Sequence, residues 1–331
     1  MGRLSTVLPS LQQLRQLQLK DSSFCEHEVT CDAVLSGLGA LTNLTHLVLP
    51  EVADGELLQH LPASLLQLEL VVDEDEGPVQ LGHLTALTRL DAGQYATLRE
   101  HHVLPPNLLE LSAGNLTAAA CLLPLKKLKE LTLHTIEYEA ASAEQLQQLS
   151  SLTALTAVHL TYWTPADITD TAAAGWPALK LRSLHLAPGG DGCFARSTLL
   201  QLSLLTDPTA MRQRAMPRLT HLSLEKQRVG RAAAASLSQV RGLRRLQLMD
   251  CQLEDCSAAE IALGLKPRLK ELDLASNAQL TDACLPPLAY ALPGLKESSF
   301  RDCAGISREG LRQYVLRAAG DDEDGSYSDS E

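Results

Sequence analysis

One phrase recurs along the chain and limits what it can fold into: LQQLRQLQL at 11–19, LTNLTHLVL at 41–49, LKKLKELTL at 125–133, RLTHLSL at 218–224 and RLKELDL at 268–274. It reads LxxLxxLxL. Taking the residue before the final xL as anchor, it occurs thirteen times, at Leu17, Leu47, Leu68, Leu90, Leu111, Leu131, Val158, Leu184, Leu202, Leu222, Leu246, Leu272 and Ser298, with steps of 18 to 30 residues. In each xLxL the two Leu point to one side of a strand and the residues between them to the other, because side chains alternate with period two. One unit this short cannot cover its own Leu. Parallel stacking of neighbours buries them in a continuous core, and each strand returns by a right-handed crossover over the outer side. Composition agrees: 45% of the residues are apolar but only 3 Phe, 2 Trp and 6 Tyr are present, so the core is one Leu-filled unit used many times.

The phrase resembles the leucine-rich repeat of the ribonuclease-inhibitor-like superfamily, and the resemblance covers nearly the whole chain. It implies an α/β leucine-rich repeat solenoid, a curved right-handed horseshoe with a parallel β-sheet on the concave face and helices and turns on the convex face. We expect about 13 irregular repeats in 1–318 and a disordered acidic tail in 319–331. Steps of 24 to 27 residues leave room for a helix, as in 139–149, 231–241 and 283–292, whereas steps of 18 to 22 allow only turns or 3₁₀ pieces. The last three repeats resemble the cysteine-containing subtype. That likeness implies that an Asn or Cys three residues after the strand satisfies backbone groups in the turn, and Cys251, Asn277 and Cys303 stand there. Ser22, Val52, Ile136 and Trp163 occupy the equivalent place in earlier repeats.

Net charge is -12, from 28 Lys and Arg against 40 Asp and Glu, and residues 321–331 hold six carboxylates and no base. Such a balance argues against nucleic acid as the main partner, since that affinity rests on clustered cations. No basic segment followed by an apolar one comes after Met1, and no apolar run approaches the ~18 residues of a membrane span. We therefore expect a soluble cytoplasmic protein, with the nucleus or a cytoskeletal or ciliary location as alternatives, and no membrane partner. The eight Cys include no CxxC and read as free thiols in a reducing compartment. The sequons at Asn43 and Asn115 come from the repeated NLT phrase and would matter only in the secretory pathway.

Register also names the concave face. Its positions lie one before, one after and three after each anchor, and they include Arg89, Asp91, Glu110, Glu130, His134, His159, His185, His221, Glu225, Arg245, Met249, Asp273 and Arg301. Mixed charge with isolated apolar residues suits a protein partner better than a small-molecule pocket. His159 and His185 share a column in adjacent repeats, which places their rings within ~5 Å and within reach of one metal or proton, but no Cys or carboxylate converges on them. We expect neither a metal nor a cofactor. Cys25, His27 and Cys31 match no standard zinc spacing and read as part of a polar loop, as does the acidic run Asp73–Glu76. The tail ends like a calcium loop but has Gly320 where the first ligand belongs. Ser326 and Ser328 each precede an acid by three residues, the spacing an acid-directed kinase reads. Trp163 and Trp176 are expected to plug wide, helix-bearing repeats.

No GxxxxGK, GxSxG, HExxH or GxGxxG occurs. The expected function is a non-enzymatic protein-interaction module that binds a protein partner on the concave face. The cysteine-containing repeats resemble those of F-box substrate receptors in SCF ubiquitin ligases, in which a separate N-terminal helical motif binds a Skp-type adaptor. Here the first repeat begins by residue 8 and leaves no room for that motif. Such an adaptor is thus a partner only if upstream sequence is missing. The alternative function is regulation of an enzyme, as a GTPase activator or an enzyme inhibitor.

Overall fold

A computed structural model describes residues 7–19, 37–52, 55–72, 79–94, 96–134, 143–163, 176, 179–188, 218–240, 242–265 and 268–318. The chain divides into two compact units, Met1–Gly189 and Gly190–Glu331. In the first, eight strands pair in parallel in chain order: β1 (Gln16–Gln18), β2 (His46–Val52), β3 (Gln67–Val72), β4 (Arg89–Asp91), β6 (Glu110–Ala113), β8 (Glu130–His134), β9 (Ala157–Trp163) and β10 (Ser183–Pro188). Two short strands, β5 (Thr97–Leu98) and β7 (Asn115–Leu116), form a separate parallel pair. In the second unit β11 (His221–Glu225), β12 (Arg245–Met249), β13 (Glu271–Asp273) and β14 (Glu297–Ser299) pair in the same way.

Register follows the anchors throughout. Leu17, Leu47, Leu68, Leu90, Leu111, Leu131, Val158 and Leu184 are successive partners in the first unit, and Leu222, Leu246, Leu272 and Ser298 in the second. From Leu47 to Leu272 the described anchors are at most 3% exposed. Leu17 in the first strand is only half-buried and Ser298 in the last is exposed. One carbonyl per repeat joins each strand to the next, because the residue two before the anchor accepts two N–H groups. Arg15 O accepts from Thr45 and His46, Lys129 O from Thr156 and Ala157, and Arg244 O from Lys270 and Glu271.

The outer layer follows step length. Among the described residues the steps from Leu47 to Leu68 and from Leu111 to Leu131 carry 3₁₀ turns, Gly55–His60 and Ala119–Leu122, and four of the long steps carry helices. These are α1 (Ala143–Gln148), α2 (Arg231–Leu237), α3 (Asp255–Gly264) and α4 (Leu285–Ala291), with α5 (Arg308–Ala318) after the last strand. Three fall inside the expected spans. The first continues as a 3₁₀ turn at Leu149–Ser151 and the third is preceded by one at Asp282–Cys284. Helix α3 lies in a 26-residue step that left room for one, although its span was not named, and α5 and the pair β5–β7 were not foreseen. Trp176 fills the 26-residue step before Leu184: it is 1% exposed and its Nε1 donates to Leu146 O at 3.3 Å. The Trp163 side chain lies outside the described residues.

Outer segments of the second unit are tied head to head. The Asp255 carboxylate at the start of α3 accepts from Thr281 N at 2.8 Å and Thr281 Oγ1 at 2.6 Å, and Asp282 accepts in the same way from Ser307 N and Oγ. Thr281 Oγ1 in turn accepts from Ala283 N, a side-chain cap on the 3₁₀ turn. Phe300 meets Tyr314 edge to face at 5.4 Å, which packs α5 against the end of the sheet.

The turns after β11 to β14 explain the Asn and Cys positions. Lys226, Asp250, Ser276 and Asp302, four residues after their anchors, adopt φ of 49 to 61°. That left-handed step takes the chain off the sheet and turns the following residue inward. The residues so placed are Gln227, Cys251, Asn277 and Cys303, all buried. Asn277 uses both ends of its amide: Oδ1 accepts from Cys251 N and Leu253 N, and Nδ2 donates to Leu248 O, Leu274 O and Ala275 O. Cys251 Sγ donates to Leu224 O and Met249 O, and Cys303 Sγ to Leu274 O. Burial pushes the Cys251 thiol up to about 12, so it remains a protonated donor at neutral pH. Gln227 occupies the same place one repeat earlier, although its residue type gave no signal. Where Val52 and Trp163 stand instead, β2 and β9 run on to those residues and reach seven residues each. Ser22 and Ile136 lie outside the described residues.

Candidate functional site

The strand face opposite the Leu core carries the side chains that register assigns to it. In the first unit Arg89 is exposed, and Asp91, Glu110, Glu130, His134, His159 and His185 are half-buried. Arg89 and Glu110 form an ion pair at 3.2 Å between adjacent strands. The Asp91 carboxylate accepts from Gly93 N at 3.0 Å, where Gly93 turns the chain at φ 76°. A depression of about 340 Å³ opens over β1 to β4, lined among others by Gln16, Gln18, Val48, Glu69, Arg89 and Asp91. Our expected site residues begin only at Arg89. The glutamines of β1 and β3 were missed because uncharged polar residues at outward strand positions read as ordinary surface.

Three histidines stand on successive strands of this face. His134 Nδ1 lies 2.6 Å from Thr161 Oγ1 on β9, and the rings of His159 and His185 are 6.0 Å apart and tilted by 49°, somewhat wider than expected. Burial holds all three below the usual imidazole range, and the neighbouring rings lower His134 and His185 further. Asp91 opposes the shift at His134 and Glu130 at His159. Elsewhere in the unit, His102 is 9% exposed and its pKa is lowered to about 4, by burial first and then by His101 and Arg99. Its Nδ1 accepts from Arg99 N at 3.4 Å, and Nε2 finds no partner among the described residues. In the folded chain the neutral form is favoured at all four histidines, so they bind protons more readily when it unfolds. Their contribution to stability is therefore complete above the unfolded pKa of about 6.5 and is lost as pH falls from there towards the folded values. His102 alone accounts for at most about 3 kcal/mol of this loss. Thermal melts of wild type and His102→Phe between pH 7.5 and pH 4 should diverge, with the variant less sensitive to acid; parallel curves would refute the assignment.

In the second unit His221, Glu225, Met249 and Asp273 are half-buried, and Arg245 and Arg301 are exposed. Arg245 pairs with Glu271 on the next strand, and Arg301 with its neighbour Asp302 at 3.5 Å. Burial, with a contribution from Asp273, raises the Glu225 carboxyl against the opposing pull of Lys226. His221 Nδ1 lies 2.9 Å from Thr220 Oγ1. Ser223, also on this face, is 8% exposed with its hydroxyl unpartnered among the described residues, a feature that one Ser in a strand does not announce.

Among the described residues no group of three or more His, Cys, Asp or Glu is placed to hold a metal ion, and no helix is long and apolar enough to cross a membrane. Cys121, Cys251, Cys256, Cys284 and Cys303 are free thiols. The Cys25–Cys31 segment, the acidic run Asp73–Glu76, and Ser326, Ser328 and the rest of the tail lie outside the described residues.

No family model matches the chain. No curated protein matches it by sequence. Among solved structures it is similar to an internalin from Listeria monocytogenes strain 4b F2365, at 16% identity over 86% of this chain and 80% of that one, with a TM-score of 0.47. The anchor-on-anchor register, the buried Leu pairs of successive parallel strands and the inward Asn and Cys turns are those of an α/β leucine-rich repeat fold.

Proposed function

We propose that this chain is a non-enzymatic protein-interaction module that binds a protein partner through the open, concave face of its strands. One observation supports this above others: within each unit the anchor-bearing strands from β2 to β13 give their buried anchors to the core and leave Arg, Glu, Asp and His, with isolated apolar residues such as Val48 and Met249, on the other side. Arg and Met are enriched at partner-binding surfaces, and the polar remainder of the face suits the rim of one. The test is an alanine scan of both faces against whatever partner the intact chain captures. Arg245→Ala or Met249→Ala should weaken binding roughly tenfold or more, since a few residues dominate most interfaces. Stability should change by only about 0.5 kcal/mol at such exposed or half-exposed sites. Loss of binding on substitution in α2, with every concave change silent, would refute the face.

A narrower reading makes the chain the substrate-recognition part of a ubiquitin ligase. It rests on Cys251, Asn277 and Cys303, which fill the inward turn as in the cysteine-containing subtype. Recovery of a Skp-type adaptor with the captured partner would support it. Recovery of a GTPase whose turnover the chain accelerates would favour an enzyme regulator instead.

A further inference from the structure

Charge is distributed along the repeat as well as across the sheet. In the windows from five to two residues before each of the thirteen anchors stand twelve of the 28 Lys and Arg and none of the 40 Asp and Glu. In a chain of net charge -12 this segregation runs against composition. Within the second unit the described windows line up at the N-terminal ends of the strands. In the second unit Lys270 N donates to Arg244 O and Lys296 N to Lys270 O, both at 2.7 Å, so these residues stand on adjacent strands about 4.8 Å apart. Arg244 and Lys296 are exposed and Lys270 half-buried, with Arg218 and Arg268 exposed in the same windows. None of these five belongs to the ion pairs found among the described residues, which are Arg89–Glu110, Arg245–Glu271 and Arg301–Asp302.

We propose that this rim of the second unit is a second binding surface, distinct from the concave face, for an acidic protein segment rich in Asp or Glu in an extended conformation. Width decides the class of partner. The cations form a narrow file, and one residue further in stand Glu271, held by Arg245, and the exposed Glu297. A nucleic acid or an anionic bilayer needs a broad positive surface and would meet these carboxylates. An extended peptide presents one row of carboxylates on one side, every second residue, about 6.6 Å apart. Such a row can lie along the file.

The probe is a fluorescently labelled deca-glutamate peptide titrated into the full chain at low and at physiological ionic strength. Binding at low ionic strength should weaken roughly tenfold or more in the charge-reversed variant R244E/K270E/K296E, and also fall in the neutral set R244Q/K270Q/K296Q. An equal charge change on the outer helix, R308E/R312E/R317E, should alter it by about threefold at most. Circular dichroism checks that each variant is folded. The proposal is overturned if the rim variants bind like wild type, if the helix variants lose as much, or if a single-stranded decathymidylate binds as tightly as the peptide. The chain carries an acidic segment of its own in 321–331. If changing its six carboxylates to amides raises affinity for the probe tenfold or more in the wild-type rim but not in R244E/K270E/K296E, the rim's occupant is this chain's own acidic segment and the proposal of a partner in trans is overturned.

Discussion

Replacing Asn277 by alanine is expected to destabilise the chain by about 3 to 5 kcal/mol. The side chain is fully buried and makes five hydrogen bonds to backbone groups of two successive repeats. Its partners differ in how much they lose. Ala275 O also accepts from Asp250 N, and Leu274 O from Cys303 Sγ, so both keep a donor. The N–H groups of Cys251 and Leu253 have no second acceptor among the described residues and would be left buried, at about 1 to 3 kcal/mol each. Chemical denaturation gives the total, and amide exchange at Cys251 and Leu253 gives the site, where protection should drop first. Asn277→Asp keeps the acceptor but removes the donor and sets a carboxylate against the carbonyls of Leu248 and Leu274, so it should be at least as damaging above its own pKa. Asn277→Cys should be milder than Asp, because a thiol can still donate to those carbonyls, as Cys251 and Cys303 do. A loss under about 1 kcal/mol for Asn277→Ala would mean that water replaces the amide and that the turn does not depend on it.

Leu246→Ala should cost about 2 to 5 kcal/mol, by lost transfer free energy and by the cavity left behind. Leu246 is 0% exposed and sits between its register partners Leu222 and Leu272, themselves buried, so the gap is closed on both sides. Its chain neighbour Gln247 is half-buried on the open face, and Gln247→Ala should change stability by only about 0.5 kcal/mol. Leu17→Ala provides an internal comparison: the same Leu in the same phrase is only half-buried, and its loss should cost clearly less than that of Leu246. Urea titrations of the three variants test the register itself. Similar losses for Leu246 and Gln247 would mean that the strand does not alternate as described.

The strand positions were legible because the signal is short-ranged and repeated: an xLxL phrase says which side chains must leave water wherever it occurs, and twelve of the thirteen anchors lie on described strands paired in the expected register. The Asn277 turn was legible only through the resemblance to the cysteine-containing repeat, which implies an Asn or Cys at that place satisfying backbone groups. Gln227 escaped notice because Gln at that place is compatible with solvent, and only the left-handed φ of Lys226 turns it inward. The span of α3 was not named, although its 26-residue step left room for a helix, because its start is set by neighbours: Asp255 is held by Thr281 of the next repeat, and its buried residues, Ser257, Ala258, Ile261 and Ala262, are mostly small. Small residues carry little hydrophobic periodicity along the chain.

The sequence by itself determined the repeat, the identity of nearly every core Leu, the strand register and the side of the sheet on which Arg245, Met249 and the histidines stand. These depend on alternation and burial, which act within a few residues. Only the tertiary structure decided which charges meet, as in Arg89 with Glu110 and Arg245 with Glu271, because those pairs are 21 and 26 residues apart and form only when strands lie side by side. The same holds for the lowered pKa of His102 and for the cation file of Arg244, Lys270 and Lys296. Desolvation and Coulomb interactions are summed over neighbours in space, and in a repeat fold those neighbours come from the next turn of the chain.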